Sequence, residues 1–278
     1  WTNLHGGFMV GIILAGAAAV GTAVEVLLGR PGAEWKTARR FGLVTAGLIA
    51  ATFVNPYTYQ LHVHVAKYLS SDWIRSVVDE FRSPDFRGEA MLQFEALLIL
   101  GMICVASFVR QKRIVEVLWL LGFAHMALGS ARHVTIFVSV AAPWIAAEIS
   151  SWWNGFAAGQ SKKSVAGILD AVSRDARGAF ARNSIWAPAL ILILLALDKP
   201  LMNWPSNFPA ERFPVALVEK YQDRIRAERT LTTDQWGDYL IYRHYPNQKV
   251  FVDGRSDFFG PEVGNEYLAI LQAQHNWS

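Results

Sequence analysis

Three groups of residues in this sequence have the types and spacing to do chemistry. Arg132 and His133 stand side by side between two apolar stretches. A guanidinium can grip phosphate in a two-pronged hydrogen bond, and an adjacent imidazole can carry a switchable proton. His5, with Asn3, precedes the first apolar stretch, and Glu95 lies inside the third. A carboxylate within a membrane span is costly and by default marks a candidate site. Near the C-terminus, Asp234 and the run Asp253-Gly254-Arg255-Ser256-Asp257 offer three carboxylates and an arginine.

Each group also has a plainer use. Arg132 can snorkel to a membrane surface, Asp234 can cap a helix, and Asp253 with Arg255 can form a local ion pair. Asp72, Asp79, Glu80 and Asp85 are available to an acceptor or to a divalent metal, the one cofactor left open. His62 and His64 have strand-like spacing and no third ligand nearby, which argues against a zinc site. No P-loop, nucleotide fingerprint, zinc-ligand spacing or Gly-x-Ser-x-Gly turn occurs.

The elements that must hold these residues are apolar. The chain has 278 residues, 53% of them hydrophobic and 18% charged, against about 25% charged in a soluble domain. Its mean hydropathy of +0.22 is modest, which implies an apolar part joined to a water-facing part. The composition excludes disorder, collagen and coiled coil, and the single Cys104 excludes a disulfide scaffold.

Six stretches approach the roughly 20 residues needed to cross a bilayer. They are Phe8–Leu28, Phe41–Leu61, Met91–Val109, Ile114–Ala131, Val134–Ile149 and Asn183–Leu197. Asn55-Pro56 should end the second helix near Val54. Gly7, Gly11, Ala15, Ala19 and Ala23 form a small-residue ridge for helix contact in the first. The loops after stretches one, three and five hold twelve Lys and Arg, against five in the alternate segments. That asymmetry predicts cytoplasmic odd loops, with the N-terminus, residues 55–90, Arg132-His133 and the tail facing outward. Glu25, Glu116 and Glu148 then fall near cytoplasmic ends, and His125 inside the fourth span is expected to bond a neighbouring helix. With the basic residues marking a membrane surface, the pI of about 9.0 does not point to nucleic acid.

Residues 55–90 read as two short amphipathic helices, one through Leu61, Val65, Tyr68 and Leu69, the next capped near Ser71. After a proline-rich linker, Pro214 opens a helix, and Arg229–Thr233 and Lys249–Val252 read as strands flanking the helix QWGDYLIYRHY. Glu262–Gln274 reads as a last helix. Strand, helix, strand at this spacing predicts a βαβ unit whose strand ends bring Asp234 to Asp253–Asp257. The fold expected is mainly α: a polytopic helical membrane bundle of about six spans over residues 1–197, followed by a small α/β (βαβ) extracytoplasmic domain over 198–278.

NLHGGF before the first span, Asn55-Pro56-Tyr57, SPDF at Ser83–Phe86, ARH at Ala131–His133 and DQWGDYLIYR…KVFVDGRSDFFG carry a resemblance across nearly the whole chain. They resemble a family of bacterial polytopic proteins similar to the GT-C superfamily of membrane glycosyltransferases. The resemblance implies sugar transfer from a polyprenyl-phosphate donor on the outer face of the bacterial inner membrane, with the tail periplasmic. Its partners would be the lipid bilayer and a polyprenyl-phosphate-linked sugar. GT-C enzymes typically carry a catalytic acid in the first outward loop, and nothing here aligns with that loop. The expectation is therefore a C-terminal portion lacking N-terminal spans, with an incomplete tail domain. The alternative is a non-catalytic membrane scaffold or accessory subunit whose outer domain binds a partner.

Overall fold

The computed structural model describes residues 2–88, 91–180 and 208–274, with the single positions Ala189 and Ile193. It divides into two compact units, residues 1–168 and 169–278.

The first unit is a helical bundle. A short 3-10 turn, Gly6–Phe8, leads into α1 (Met9–Leu27), followed by α2 (Trp35–Ala51). The chain then forms α3 (Tyr59–Ser70) and α4 (Asp72–Val77). Next come α5 (Met91–Arg110), α6 (Ile114–Gly129) and α7 (Val134–Ala158). α6 is central, packing on α1, α5 and α7, while α2 packs on α1. Phe94, Cys104, Phe108, Leu120, Phe123, Ala127, Phe137 and Ile145 form the core.

Among the described residues, three segments are long and apolar enough to cross a membrane: Gly6–Leu27, Met91–Arg110 and Ala131–Ala158. Only 22% of each apolar run is buried inside the protein. Leu92, Ile99, Ile103 and Val20 are instead exposed, an arrangement suited to lipid and costly in water.

Of the six spans expected, three are long and apolar enough among the described residues. α2 stops at Ala51, before the Asn55-Pro56 break, and its first turns carry Lys36, Arg39 and Arg40. α6 has 16 residues, about 24 Å at 1.5 Å per residue, short of a 30 Å hydrocarbon core. α7 runs nine residues beyond the expected Ile149, through Pro143. The sixth stretch, Asn183–Leu197, lies almost wholly outside the described residues.

The small-residue ridge of the first segment, Gly7, Gly11, Ala15, Ala19 and Ala23, is half-buried, and the most deeply buried face lies beside it. The residues α1 buries are Ala18, Gly21, Thr22 and Glu25, a helical i, i+3, i+4, i+7 face. A Cβ at Gly21 would lie 2.8 Å from Val115 Cα, so this position lets the backbones of α1 and α6 meet.

α8 (Val165–Phe180) crosses the division between the units. The second unit continues with α9 (Val215–Lys220), α10 (Gln222–Ala227), α11 (Asp234–His244) and α12 (Ser256–Leu271), the last broken at Gly260-Pro261. Val218, Tyr239 and Leu240 are its buried centre, with Phe208, Phe213, Val215, Ile225 and Val250 packed around them.

The expected α/β domain is overturned. The described residues are all helical apart from loops, and they contain no strand. The two segments read as strands touch at one isolated parallel bridge, Thr230 to Val250. A pair of four- to five-residue segments with no third strand beside it lacks the ladder needed for independent stability. The helix between them forms where expected, and it does the packing that a sheet would have done.

Candidate functional site

The two ends of the bundle hold polar side chains in different ways. At the end formed by the C-terminus of α1 and the α5–α6 turn, Glu25, Glu116 and Glu148 are buried. Arg30 donates to Glu25 at 2.6 Å, and the Val115 amide donates to the same carboxylate at 3.1 Å. Arg113 donates to Glu116 at 2.7 Å and to Glu148 at 3.2 Å. Ser107 of α5 and Gln111, in the turn just after it, also donate to Glu148. Lys112 Nζ donates to the Leu28 carbonyl at 2.7 Å. The three acids are thus interior ties joining α1, α5, α6 and α7, where sequence placed them at a membrane interface.

At the opposite end a cavity of about 780 Å³ opens, whose polar lining is His5, Glu80, Arg132 and His133. Its apolar lining includes Met9, Val10, Ile13, Leu69, Met126 and Ile136. Arg132 and His133 lie on a 3-10 turn, Ala131–His133, at the head of α7. The loop after α4 pins that turn: the Ala131 amide donates to the Arg82 carbonyl at 2.8 Å, and Ser130 Oγ donates to the Glu80 carbonyl at 2.7 Å. The Arg132 guanidinium stacks 4.8 Å over the Phe81 ring and has no carboxylate partner among the described residues.

The two histidines hold opposite tautomers when neutral. His5 Nδ1 accepts the Gly7 amide at 2.9 Å, so its proton sits on Nε2. His133 Nδ1 faces the Met126 carbonyl at 3.3 Å and must donate, which leaves Nε2 as an acceptor. One imidazole can thus donate to an anion while the other accepts a proton.

Three of the residues singled out from sequence, His5, Arg132 and His133, therefore line one cavity. Asn3 does not; its amide donates to the Val54 carbonyl at 3.2 Å, tying the N-terminal segment to the chain after α2. Glu95 is half-buried in the second turn of α5 and is not part of the lining. His125, expected to bond a neighbouring helix, is exposed and has no hydrogen bond among the described residues. His62 packs between Phe8 and Phe53 and bonds Thr52 Oγ1 at 2.7 Å. No cluster of three metal-ligating side chains occurs among the described residues.

In the second unit the Asp253 carboxylate is buried and takes both prongs of Arg255, at 2.9 and 2.5 Å. The hydrogen bonds from Arg255 hold the Asp253 carboxyl below its ordinary value. Asp253, and at longer range Asp238 and Asp257, hold the Arg255 guanidinium above its own. Asp234 is not in this group and does not cap α11. The helix N-cap is Thr233, without a side-chain bond, and the Asp234 amide receives no help from its own carboxylate but donates to Tyr267 OH at 3.0 Å.

The missed residue is Asp238, one helical turn further on, whose carboxylate accepts the Gly254 amide at 3.2 Å. Its neighbour Gly237 was the available signal. A Cβ there would fall 2.2 Å from the Val252 carbonyl, so the Trp-Gly-Asp-Tyr turn must press directly on the Val252-Asp253 backbone. A separate depression of about 520 Å³ surrounds the Thr230–Val250 bridge, with Arg226, Arg229 and Lys249 on its rim and Glu228 as its one acid.

The class that fold and site define is a helical membrane protein with a cavity of mixed polar and apolar lining at one end of its bundle. No protein-family model, curated protein or solved structure matches the chain.

Proposed function

We propose that this chain binds a phosphate-bearing polyprenyl lipid in the Arg132 cavity and serves transfer of a sugar from that lipid, in the manner of GT-C glycosyltransferases. The observation that carries the reading is the cavity lining. Arg132, His5 and His133, with one acid, Glu80, share the lining with Met9, Val10, Ile13, Leu69, Met126 and Ile136. That is the profile of an anionic head on a hydrocarbon tail.

The chemistry follows from the side chains. Arg132 supplies two parallel donors to a phosphate, and the His5 Nε2 proton adds a third. As the bond between the sugar's anomeric carbon and the phosphate oxygen breaks, these donors hold the charge gathering on the leaving phosphate. His133 Nε2 is the acceptor available to take the proton of an incoming hydroxyl. In this reading the cavity faces the outer side of the bacterial inner membrane, opposite the bundle end that carries Arg30, Lys112 and Arg113.

Transfer from a radiolabelled polyprenyl-phosphate sugar by the membrane-embedded protein tests it. Arg132→Ala and His133→Ala should each lower transfer at least about a hundredfold, the range of one general base or one charge-stabilising donor. Unchanged transfer in both variants rules out these roles for Arg132 and His133.

One observation favours a second reading, in which the chain is an accessory subunit. The basic rim of Arg226, Arg229 and Lys249 suits an acidic partner of the second unit. Capture of such a partner by the intact protein, lost on Lys249→Glu, combined with no transfer activity, would support this reading over the first.

A further inference from the structure

α8 carries its amphipathic pattern the wrong way round for a helix in water. Val165, Ile168, Leu169 and Val172 recur at i, i+3, i+4 and i+7, and they are 75, 53, 51 and 59% exposed. The sheltered face holds small and polar residues, Ala166, Gly167, Asp170 and Ser173. Local geometry fixes that orientation. Ser164 caps the helix by accepting the Gly167 amide at 3.1 Å, and a Cβ at Gly167 would fall 2.3 Å from the Ser161 carbonyl. The incoming loop therefore lies directly on the Gly167 face, and the apolar stripe is turned outward.

The segment just before α8 indicates what meets that stripe. α7 belongs to a segment able to cross a membrane and ends at Ala158. Trp152 and Phe156, both exposed, stand in its last turns, as aromatic residues do at a membrane–water boundary. Residues 159–164 join it to α8, a reach of at most about 20 Å. Two of them are the exposed Lys162 and Lys163, which favour anionic headgroups. At 16 residues, with Arg174 and Asp175 exposed and Asp170 on the sheltered face, α8 is too short and too charged to cross.

We propose that α8 is an interfacial helix, lying in the headgroup plane of an anionic lipid surface with Val165, Ile168, Leu169 and Val172 immersed. This rests on α7 crossing the membrane and is independent of what the Arg132 cavity binds. The i, i+3, i+4, i+7 stripe supplies the immersed face and the lysine pair draws the helix to the surface. The Asp170–Arg174 pair at 3.1 Å stays with the polar face.

The test uses the full chain, with Cys104→Ala, in vesicles of phosphatidylcholine and phosphatidylglycerol. Single variants Val138→Cys, Ile168→Cys and Arg174→Cys each carry an environment-sensitive fluorophore, position 174 lying on the helix face opposite the stripe. Nitroxide-bearing lipids should quench the labels at 138 and 168 at least threefold more than the label at 174, with aqueous iodide giving the reverse order. Quenching at 138 but not at 168 overturns the interfacial helix alone. Protection of 168 from both quenchers means that protein covers the stripe, and also overturns it. A label at 138 untouched by lipid quencher removes the membrane span, and this proposal with it.

Discussion

At one end of the bundle Arg113 lies between Glu116 and Glu148, while at the other Arg132 lines a cavity with only an aromatic ring against it. The first arginine is 18% exposed and its charge is matched by buried carboxylates from two helices. Removing one member of such a group leaves an uncompensated charge in the interior, so the arrangement holds the helices in register at the cost of tolerating no change. Arg132 has the opposite relation to its surroundings. It has no carboxylate partner among the described residues, and it can be removed without stranding an acid. The same side chain thus ties helices together where its charge is matched, and where it is not it is the group proposed to meet the lipid phosphate.

The largest expected effect comes from breaking the matched end. Arg113→Ala should destabilise the folded protein by about 3–5 kcal/mol, the cost of leaving buried acids unpaired, read as a lower midpoint of unfolding in detergent. Arg132→Ala should cost less than about 1 kcal/mol in the same measurement, as befits a group without an ion partner. Equal losses in the two variants would erase the distinction between the ends.

Gly21→Val is next. Its Cβ would meet the Val115 backbone at 2.8 Å, and forced overpacking typically costs about 1–3 kcal/mol. Because Glu25 lies one turn beyond, separation of α1 from α6 should also lengthen the Val115–Glu25 contact, detectable as faster amide exchange at Val115.

The second unit provides an intermediate case, a buried carboxylate matched by an exposed arginine. The Asp253 carboxyl is held below its ordinary value, first by the hydrogen bonds from Arg255. Its contribution to stability is therefore complete above the unfolded carboxylate range, near pH 4, and is lost as pH falls through the lower folded value. Acid unfolding of the wild type should show this loss, and Asp253→Asn should flatten it. The smallest effect belongs to Asp234→Ala, expected within about 0.5 kcal/mol of wild type, since its carboxylate makes no cap.

Much of the bundle was legible because apolar runs and breakers are local signals. Three of the apolar stretches correspond to long helices, Asn55-Pro56 follows the end of α2, and Ser71 caps α4 as its type suggests. The convergence of His5 with Arg132 and His133 followed from placing all three at the same end. Span number was less legible, because α6 is apolar enough but too short, and hydropathy alone does not show that. Burial of Glu25, Glu116 and Glu148 was hidden because their partners Arg30, Arg113 and Gln111 come from turns and neighbouring helices. The tail failed for a different reason. Arg229–Thr233 and Lys249–Val252 have strand composition and meet in parallel at one residue pair, but sheet formation needs further strands. The close approach at Gly237 is likewise a tertiary fact that marks its sequence with only a glycine.

The measurement that bears most directly on the ligand-binding end is the affinity of the intact protein for polyprenyl phosphate, by native mass spectrometry from detergent, with Arg113→Lys and Arg132→Ala compared to wild type. Arg132→Ala should weaken binding about 10- to 100-fold, the worth of a charge-assisted pair, with an unchanged unfolding midpoint. Arg113→Lys should leave binding within about twofold while lowering that midpoint. Wild-type affinity in Arg132→Ala, or no lipid-phosphate binding by the wild type, would contradict the assignment of this end of the bundle to a ligand.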